Sequence, residues 1–438
     1  MKKIILIILI PNFIFAQKEL TLMDAIKIGL QDNYDIQISH KNHKINQVNN
    51  NWANAGALPT INLSAQKEEA LSDQKENPAS FIQQELRSSA VKGNANVNWT
   101  LFSGFAIRAN KKRLENLENI SENNAILTIE NTIQGIILQY YNCVLQKQRM
   151  ELLKKVISLS KKRLEYEKTN YEIGISSKID LLQTENAMLT DSSNLIIQEL
   201  NYNNAIKNLN LTLGKKVETN WILTDEIDSD IQLFNYEDLR RKTLANNTNI
   251  TNQYYNIQLA KQDIEISKSV FYPNLSINSG GAYNKSTYDI GALSNQMQNT
   301  GKSINYFANF SINFRLFDGG KLYNTLRKVK IQKEINELRY DKVKEEVIHQ
   351  LSLIYDKYNS CVNSFTLNKK AFEIATLNYE IANEKKNRGI INSFVLRDIE
   401  IAYITSGINA QQSAYNLLES KIALLKISGG IIQDYSKE

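Results

Sequence analysis

The chain is short of residues that break helices, with only 4 prolines and 17 glycines among 438 residues. So few breakers predict long uninterrupted helices. Histidine is nearly missing, at 3 residues, and cysteine is down to 2. Three imidazoles leave little material for nucleophilic catalysis. His40 and His43 lie three apart without a third ligand beside them, and His349 stands alone, so no metal site is expected. Gly319-Gly320-Lys321 precedes a helical pattern but lacks P-loop spacing. No cofactor and no enzymatic activity are therefore expected. Cys143 and Cys361 each lie in helical patterns, where buried thiols are usual, although an oxidising compartment would also permit a bridge.

A long apolar run is missing too. The one apolar run near the start, residues 4–10, follows Met1-Lys2-Lys3 and precedes Phe13-Ile14-Phe15-Ala16. A basic start, a short apolar core and a small residue describe a secretory signal peptide, residues 1–16, cut after Ala16. Beyond it no window of about 18 apolar residues occurs, so an exported chain is either soluble or set in an outer membrane as strands. Charge of one sign is not concentrated anywhere. The net charge of +6 comes from 52 basic and 46 acidic residues, interspersed as in Lys161-Lys162-Arg163-Leu164-Glu165. That is a solvated helix face and excludes a nucleic-acid stripe.

What is present is a repeat. Hydrophobic content of 42% and charged content of 22% suit a folded chain. A helical pattern over 22–50, which Asn33 interrupts, ends at Ala57-Leu58-Pro59-Thr60. Period-two alternation follows over about 58–66 and 91–102, around a hydrophilic loop. After Leu101-Phe102-Ser103-Gly104 a helix free of proline runs to about Lys168, on the order of 95 Å. A turn at 170–178, with Gly174 and a serine cap, starts a returning helix that ends at Leu213-Gly214. The same order then recurs. Strands are predicted at about 273–284 and 305–317, the junction is Leu316-Phe317-Asp318-Gly319, and the second hairpin turns at 385–393. Pro59 and Pro273 lie 214 residues apart, and 215 residues separate Phe102 from Phe317, Gly174 from Gly389 and Gly214 from Gly429. A tandem duplication follows. Its copies span 17–214 and 236–429, joined by a linker at 215–235 and followed by a tail at 430–438. In the second long helix the apolar positions Val347, Leu351, Ile354, Tyr358, Cys361, Phe365, Phe372, Ala375, Tyr379 and Ala382 form a heptad seam, with Asn368 or Lys369 in its one gap.

The strands alternate apolar residues with Asn, Ser and Thr. A half-buried soluble sheet would also alternate, but a polar face with so few charges suits the wet lumen of a membrane barrel better. Four strands are too few to close, so copies must join: two give eight strands and three give twelve. Trp99, Tyr283, Tyr306 and Phe314 are candidates for aromatic girdles. Pro59, Phe102, Gly104, Pro273, Phe317 and Gly319 mark where the chain passes between strand and helix.

The Pro-initiated strands, the two Leu-Phe-(Ser/Asp)-Gly junctions and the Tyr-x-x-Gly turn with Asp180-Leu181-Leu182, all in register, resemble the TolC family of outer-membrane factors over essentially the whole mature chain. The resemblance implies an α+β membrane protein: a homotrimeric, 12-stranded outer-membrane β-barrel, four strands per chain, continued by a long α-helical coiled-coil barrel through the periplasm. It implies docking onto a periplasmic membrane-fusion (adaptor) protein and an inner-membrane RND or ABC-type pump, with outer-membrane lipid around the barrel. It also implies a periplasmic constriction at the helix turns, with Asp180, Asp398, Tyr171, Gly174 and Gly389 as its candidates. Lys386, Ile391 and Val395 depart from the family pattern there, and Asp180 and Asp398 also suit a helix's first turn without any gating role. The function expected is a passive exit duct of a tripartite exporter, most plausibly for small molecules. A protein-secretion duct and a periplasmic coiled-coil protein without a pore are the alternatives.

Overall fold

The computed structural model describes residues 18–81, 84–227, 230–290 and 297–432. The signal peptide and most of the C-terminal tail lie outside the described residues. The chain forms two compact units, the first from the described residues of Met1–Lys41, Asn123–Thr251 and Val343–Glu438, the second from Asn42–Glu122 and Asn252–Lys342. Each unit draws on both copies of the duplication, so the repeats are units of sequence and not separately packed bodies.

The elements in chain order are β1 (Lys18–Leu20), α1 (Leu22–Asp32), α2 (Tyr34–Asn49), β2 (Thr60–Asp73), β3 (Glu85–Ser103), α3 (Ala106–Glu172) and α4 (Lys178–Thr212). They continue with β4 (Trp221–Leu223), α5 (Tyr236–Asn246), α6 (Thr248–Ser269), β5 (Asn274–Ile290), β6 (Met297–Asn313), α7 (Lys321–Asn387) and α8 (Ser393–Ile427). The helices α3 and α7 have 67 residues each and α4 and α8 have 35, so the duplication is exact in helix length.

The sheet of the second unit has the order β2-β3-β5-β6, antiparallel throughout, with β2 and β6 at its edges. Its register sorts the side chains into two faces. One face carries the rows Trp99–Ile277–Phe310, Ile61–Val97–Ser279–Ala308, Leu63–Ala95–Gly281–Tyr306 and Ala65–Gly93–Tyr283–Ile304. The other carries Thr60–Asn98–Asn278–Asn309, Asn62–Asn96–Gly280–Phe307 and Ser64–Asn94–Ala282–Asn305, in which Asn278 donates to Asn98. Phe307, the one aromatic on the polar face, lies opposite Gly280 and fills the space above it.

The strands differ from their expected spans at both ends. β2 and β3 run on through Asp73 and from Glu85, because charged residues continue the ladder: Lys92 pairs with Glu68 at 2.5 Å and Lys75 with Glu85 at 2.7 Å. β6 stops at Asn313, short of the expected 317, since its partner β5 begins at Asn274, after Pro273, and offers nothing further to bond. Phe314 and Phe317 consequently lie outside the strand.

In the first unit β1 pairs in parallel with β4, so the linker is a structural element. The core there gathers Leu20, Ile26, Ile136, Tyr140, Leu209 and Ile422. Asn33 separates α1 from α2 and Asn247 separates α5 from α6; the second break has no counterpart in the sequence reading. Asn33 Oδ1 accepts from the backbone N–H of Asp35 and Ile36 at 2.9 and 3.1 Å, while its Nδ2 donates to the Thr212 carbonyl at 2.8 Å. Asn247 does the same with Asn249, Ile250 and the Ile427 carbonyl. Each asparagine thus caps one helix and ties the break to the end of a returning helix. Asn33→Ala is expected to cost about 2 kcal/mol, a lost cap plus an orphaned carbonyl, read as a lower denaturant midpoint.

Along α7 every predicted seam residue is buried or half-buried, and the gap is filled by Asn368, whose Nδ2 donates to the Ser364 carbonyl at 2.8 Å. Cys143 is buried, Cys361 half-buried, and both thiols are free.

Candidate functional site

The two hairpin turns of the first unit are built alike. Gly174 takes φ 80° and Gly389 φ 71°, a left-handed conformation that only glycine adopts cheaply. Ile175 N–H donates to the Asn170 carbonyl at 2.8 Å and Ile390 N–H to that of Lys385 at 2.9 Å, which ends each long helix in a Schellman motif. The caps that follow differ. Ser177 forms a full capping box with Asp180, whereas Asn392 caps Val395, an apolar residue with nothing to return.

Just inside these turns α3, α4 and α8 share a buried cluster of charge. Arg163 donates to both oxygens of Glu400 at 2.9 and 2.7 Å. Arg397 donates to Asp191 at 2.7 and 2.9 Å and to Glu400 at 2.9 Å, and Ser160 Oγ donates to Asp191 at 2.6 Å. The side chains of Arg163, Glu400 and Asp191 keep only 9%, 2% and 4% of their exposure. Two cations and two anions therefore balance where water is nearly excluded, and every carboxylate has its own donors. Burial pulls the Arg397 guanidinium down, but its bonds to Asp191 and Glu400 outweigh that and raise its pKa. Burial, reinforced by the Glu400 charge, pushes the Tyr379 hydroxyl up to about 12, so the ring stacked on Tyr403 stays neutral.

A smaller chain of contacts lies nearer the turns. Lys386 Nζ donates to Ser393 Oγ at 2.8 Å, Ser393 Oγ donates to Glu167 at 3.1 Å, and Ser176 Oγ reaches the same carboxylate. Lys386 also lies 5.7 Å over the Tyr166 ring. A cavity of about 380 Å³ is lined by Arg163, Asp180, Thr184, Ser393, Phe394 and Arg397 among others.

The candidates from the sequence fall unevenly on this geometry. Asp180 borders the cavity, yet its hydrogen bonds are all to Ser177. Asp398 is exposed on α8 and makes no ion pair among the described residues. The Tyr171 ring lies 5.3 Å below the Lys178 ammonium and is partly exposed. Arg163, Asp191, Arg397 and Glu400 were not singled out from the sequence. A signal existed: the buried positions Thr184, Asp191, Gln198 and Ala205 of α4 repeat every seven residues, so polar groups occupy a packing seam.

Two features of the chain as a whole match known proteins. A model of the outer membrane efflux protein family matches residues 25–215 and again residues 239–430. The chain belongs to the outer membrane efflux protein family. Its fold is similar to that of the CmeC outer membrane channel of Campylobacter jejuni, with a TM-score of 0.73 and 15% identity over 95% of this chain and 89% of that one. It is also similar to the outer membrane protein VceC of Vibrio cholerae (TM-score 0.68, 14% identity, 93% and 96% covered) and to the open state of the MtrE outer membrane channel of Neisseria gonorrhoeae (TM-score 0.71, 13% identity, 94% and 89% covered). No helix among the described residues is long and apolar enough to cross a membrane.

In this outer membrane efflux protein the four-stranded sheet is thus the membrane part, and the strand–helix junctions sit at one end of it. Gly104 has φ 61° and Phe105 φ 71°; 215 residues on, Gly319 and Gly320 have φ 72° and 84°. The bend needs two successive left-handed residues, and in the first copy a phenylalanine supplies one of them. Its ring is held edge-on by Phe102 at 5.2 Å and Tyr272 at 5.8 Å. Pro59 and Pro273 each directly precede a strand. Trp99 lies on the apolar face and donates to the Ala57 carbonyl at 2.9 Å, beside the junctions. Tyr283 and Tyr306 lie two and three rows from it, and each faces a glycine across the ladder, Gly93 and Gly281.

Proposed function

We propose that this outer-membrane efflux channel is the passive exit duct of a tripartite exporter, formed by three copies whose sheets join edge to edge into a barrel of twelve strands. One observation carries the reading: a four-stranded sheet with two open edges has one apolar face and one face of asparagine ladders. Open edges in lipid leave backbone groups unsatisfied, so β6 of one copy pairs with β2 of the next. Twelve strands leave a lumen, and the asparagine face lines it with donors and acceptors but little net charge, which suits small polar and amphipathic molecules. The helices enter the periplasm from the junction end, and their hairpin turns meet a membrane-fusion adaptor and an RND or ABC-type pump. The loops at 74–84 and 291–296 then belong to the outer side.

At the turns, Asp180 and Asp398 form acidic rings that narrow the tunnel, with Tyr171, Gly174 and Gly389 shaping the constriction. The buried cluster inside the turns holds the two hairpins of one copy together, so opening moves hairpins as rigid pairs. The test is conductance of the full-length trimer in planar bilayers. Stepwise conductance is expected, and Asp180→Asn with Asp398→Asn should lower cation selectivity by several-fold. A soluble protein without conductance would sink the channel; unchanged selectivity would leave the aspartates as helix-terminal residues only. Loss of small-molecule resistance on deletion, with protein secretion intact, separates efflux from a secretion duct.

A further inference from the structure

Beyond its apolar rows, the outer face of the sheet carries a row of unlike character. The register sets Lys67, Val91, Lys285 and Lys302 side by side on β2, β3, β5 and β6. Lys285 and Lys302 are direct cross-strand partners, an arrangement that is destabilising for like charges unless something offsets it. Lys67 has Glu69 at 2.6 Å, but no ion pair among the described residues engages Lys285 or Lys302, and both are exposed. One row further from the junctions, Thr287 and Thr300 oppose each other with their hydroxyl oxygens 3.2 Å apart. Glu69 shares that threonine row, and Arg87 and Asp289 occupy the next. Two ammonium groups and two hydroxyls from adjacent strands thus converge with no carboxylate on either strand nearer than Asp289.

The depth of the row is informative. Lys302 lies ten residues along β6 from Ile312, near the junction end of the apolar face. At about 3.4 Å per residue and a tilt of about 40°, that is roughly 26 Å, the height of the apolar band of an outer-membrane barrel. The lysines therefore sit where hydrocarbon gives way to headgroups, at the loop end. Their aliphatic stems can lie along the apolar rows with the ammonium groups raised into the headgroups.

We propose that Lys285 and Lys302, with Thr287 and Thr300, bind a phosphate of a phosphorylated glycolipid headgroup in the outer leaflet. The site rests on the reading that the loop end of the sheet faces outward. An anion between the opposed lysines removes their repulsion and accepts charge-assisted hydrogen bonds from both. Surface-adjacent basic residues contribute roughly fivefold each to binding an anionic headgroup.

The test titrates the full-length channel in detergent with bisphosphorylated lipid A, with lipid A stripped of phosphate, and with inorganic phosphate, followed by native mass spectrometry. Saturable binding of the phosphorylated lipid is expected. K285Q/K302Q should weaken it about 25-fold, while K285R/K302R should retain it. Equal binding by K285Q/K302Q, or equal binding of the dephosphorylated lipid, would overturn the site. Inorganic phosphate binding as tightly as the lipid would overturn the lipid assignment. Conductance in glycolipid-free bilayers should match wild type in both variants. A wild-type channel that conducts but binds no glycolipid refutes only the lipid site, whereas glycolipid binding without conductance refutes only the duct.

Discussion

Glu400→Ala is expected to destabilise the helical unit by about 3–5 kcal/mol. The substitution removes the carboxylate that Arg163 and Arg397 share and leaves two guanidinium groups facing Asp191 alone, nearly out of reach of water. The loss is mostly the cost of stranding a buried charge, not the net value of the pair. That distinction is testable with a double variant. Arg163→Met with Glu400→Leu removes one cation and one anion together and leaves Arg397 with Asp191, so it should recover most of the stability. The measurement is the denaturant or thermal midpoint of each variant and of the two single changes, combined as a double-mutant cycle. A single Glu400→Ala loss below about 1 kcal/mol would show that water reaches the cluster and that it holds nothing together.

The second large effect is expected at the strand–helix junction, and the duplication supplies its own control. A Cβ added to Gly104 would lie 2.1 Å from the Ser269 carbonyl oxygen and within 3 Å of two further Ser269 backbone atoms. Backbone cannot rotate away as a side chain can, and φ is 61° besides. Gly104→Ala should cost more than about 4 kcal/mol and prevent recovery of assembled protein from outer membranes. Gly319→Ala meets no atom within 4 Å, so only the left-handed backbone penalty of about 1 kcal/mol remains. Membrane fractionation and the yield of heat-resistant oligomer compare the two directly. Equal outcomes would mean that the close approach at Ser269 relaxes without penalty.

Much of the fold was legible because its landmarks are residues with one backbone use. Pro59, Pro273, Gly174, Gly389, Gly214 and Gly429 mark strand starts and helix ends in both copies, and a constant offset made them unmistakable. The strand extensions were not legible for a physical reason. Beyond the apolar rows the ladder stands in water, and Lys67 to Asp73 continues it with charges and no hydrophobic alternation. The early end of β6 was hidden because Phe314 and Leu316 keep a strand-like pattern after the partner strand has run out. The break at Asn247 was obscured by neighbouring asparagines, although Asn33 signalled its counterpart. At the candidate site the turn residues were evident, but the Arg163–Glu400–Arg397–Asp191 cluster was not. Each member looks like one more charge on a solvated helix, and only the packing of three helices shows that these four are shut away together.

The parallel pairing of Lys18–Leu20 with Trp221–Leu223 has a consequence for biogenesis. An exported chain emerges from its amino end, so the first strand to appear must wait for a partner made some two hundred residues later. When Trp221 arrives, it brings Asn210, to whose side chain its ring N–H donates at 2.6 Å, and the segment closes on Tyr140, whose hydroxyl donates to the Leu20 carbonyl at 2.8 Å. The latch therefore shuts only once the first hairpin is complete, and before the second copy has been delivered. Translocation order thus sets a checkpoint at mid-chain, and a protein stalled there would hold a closed first repeat with an unfilled side awaiting the rest.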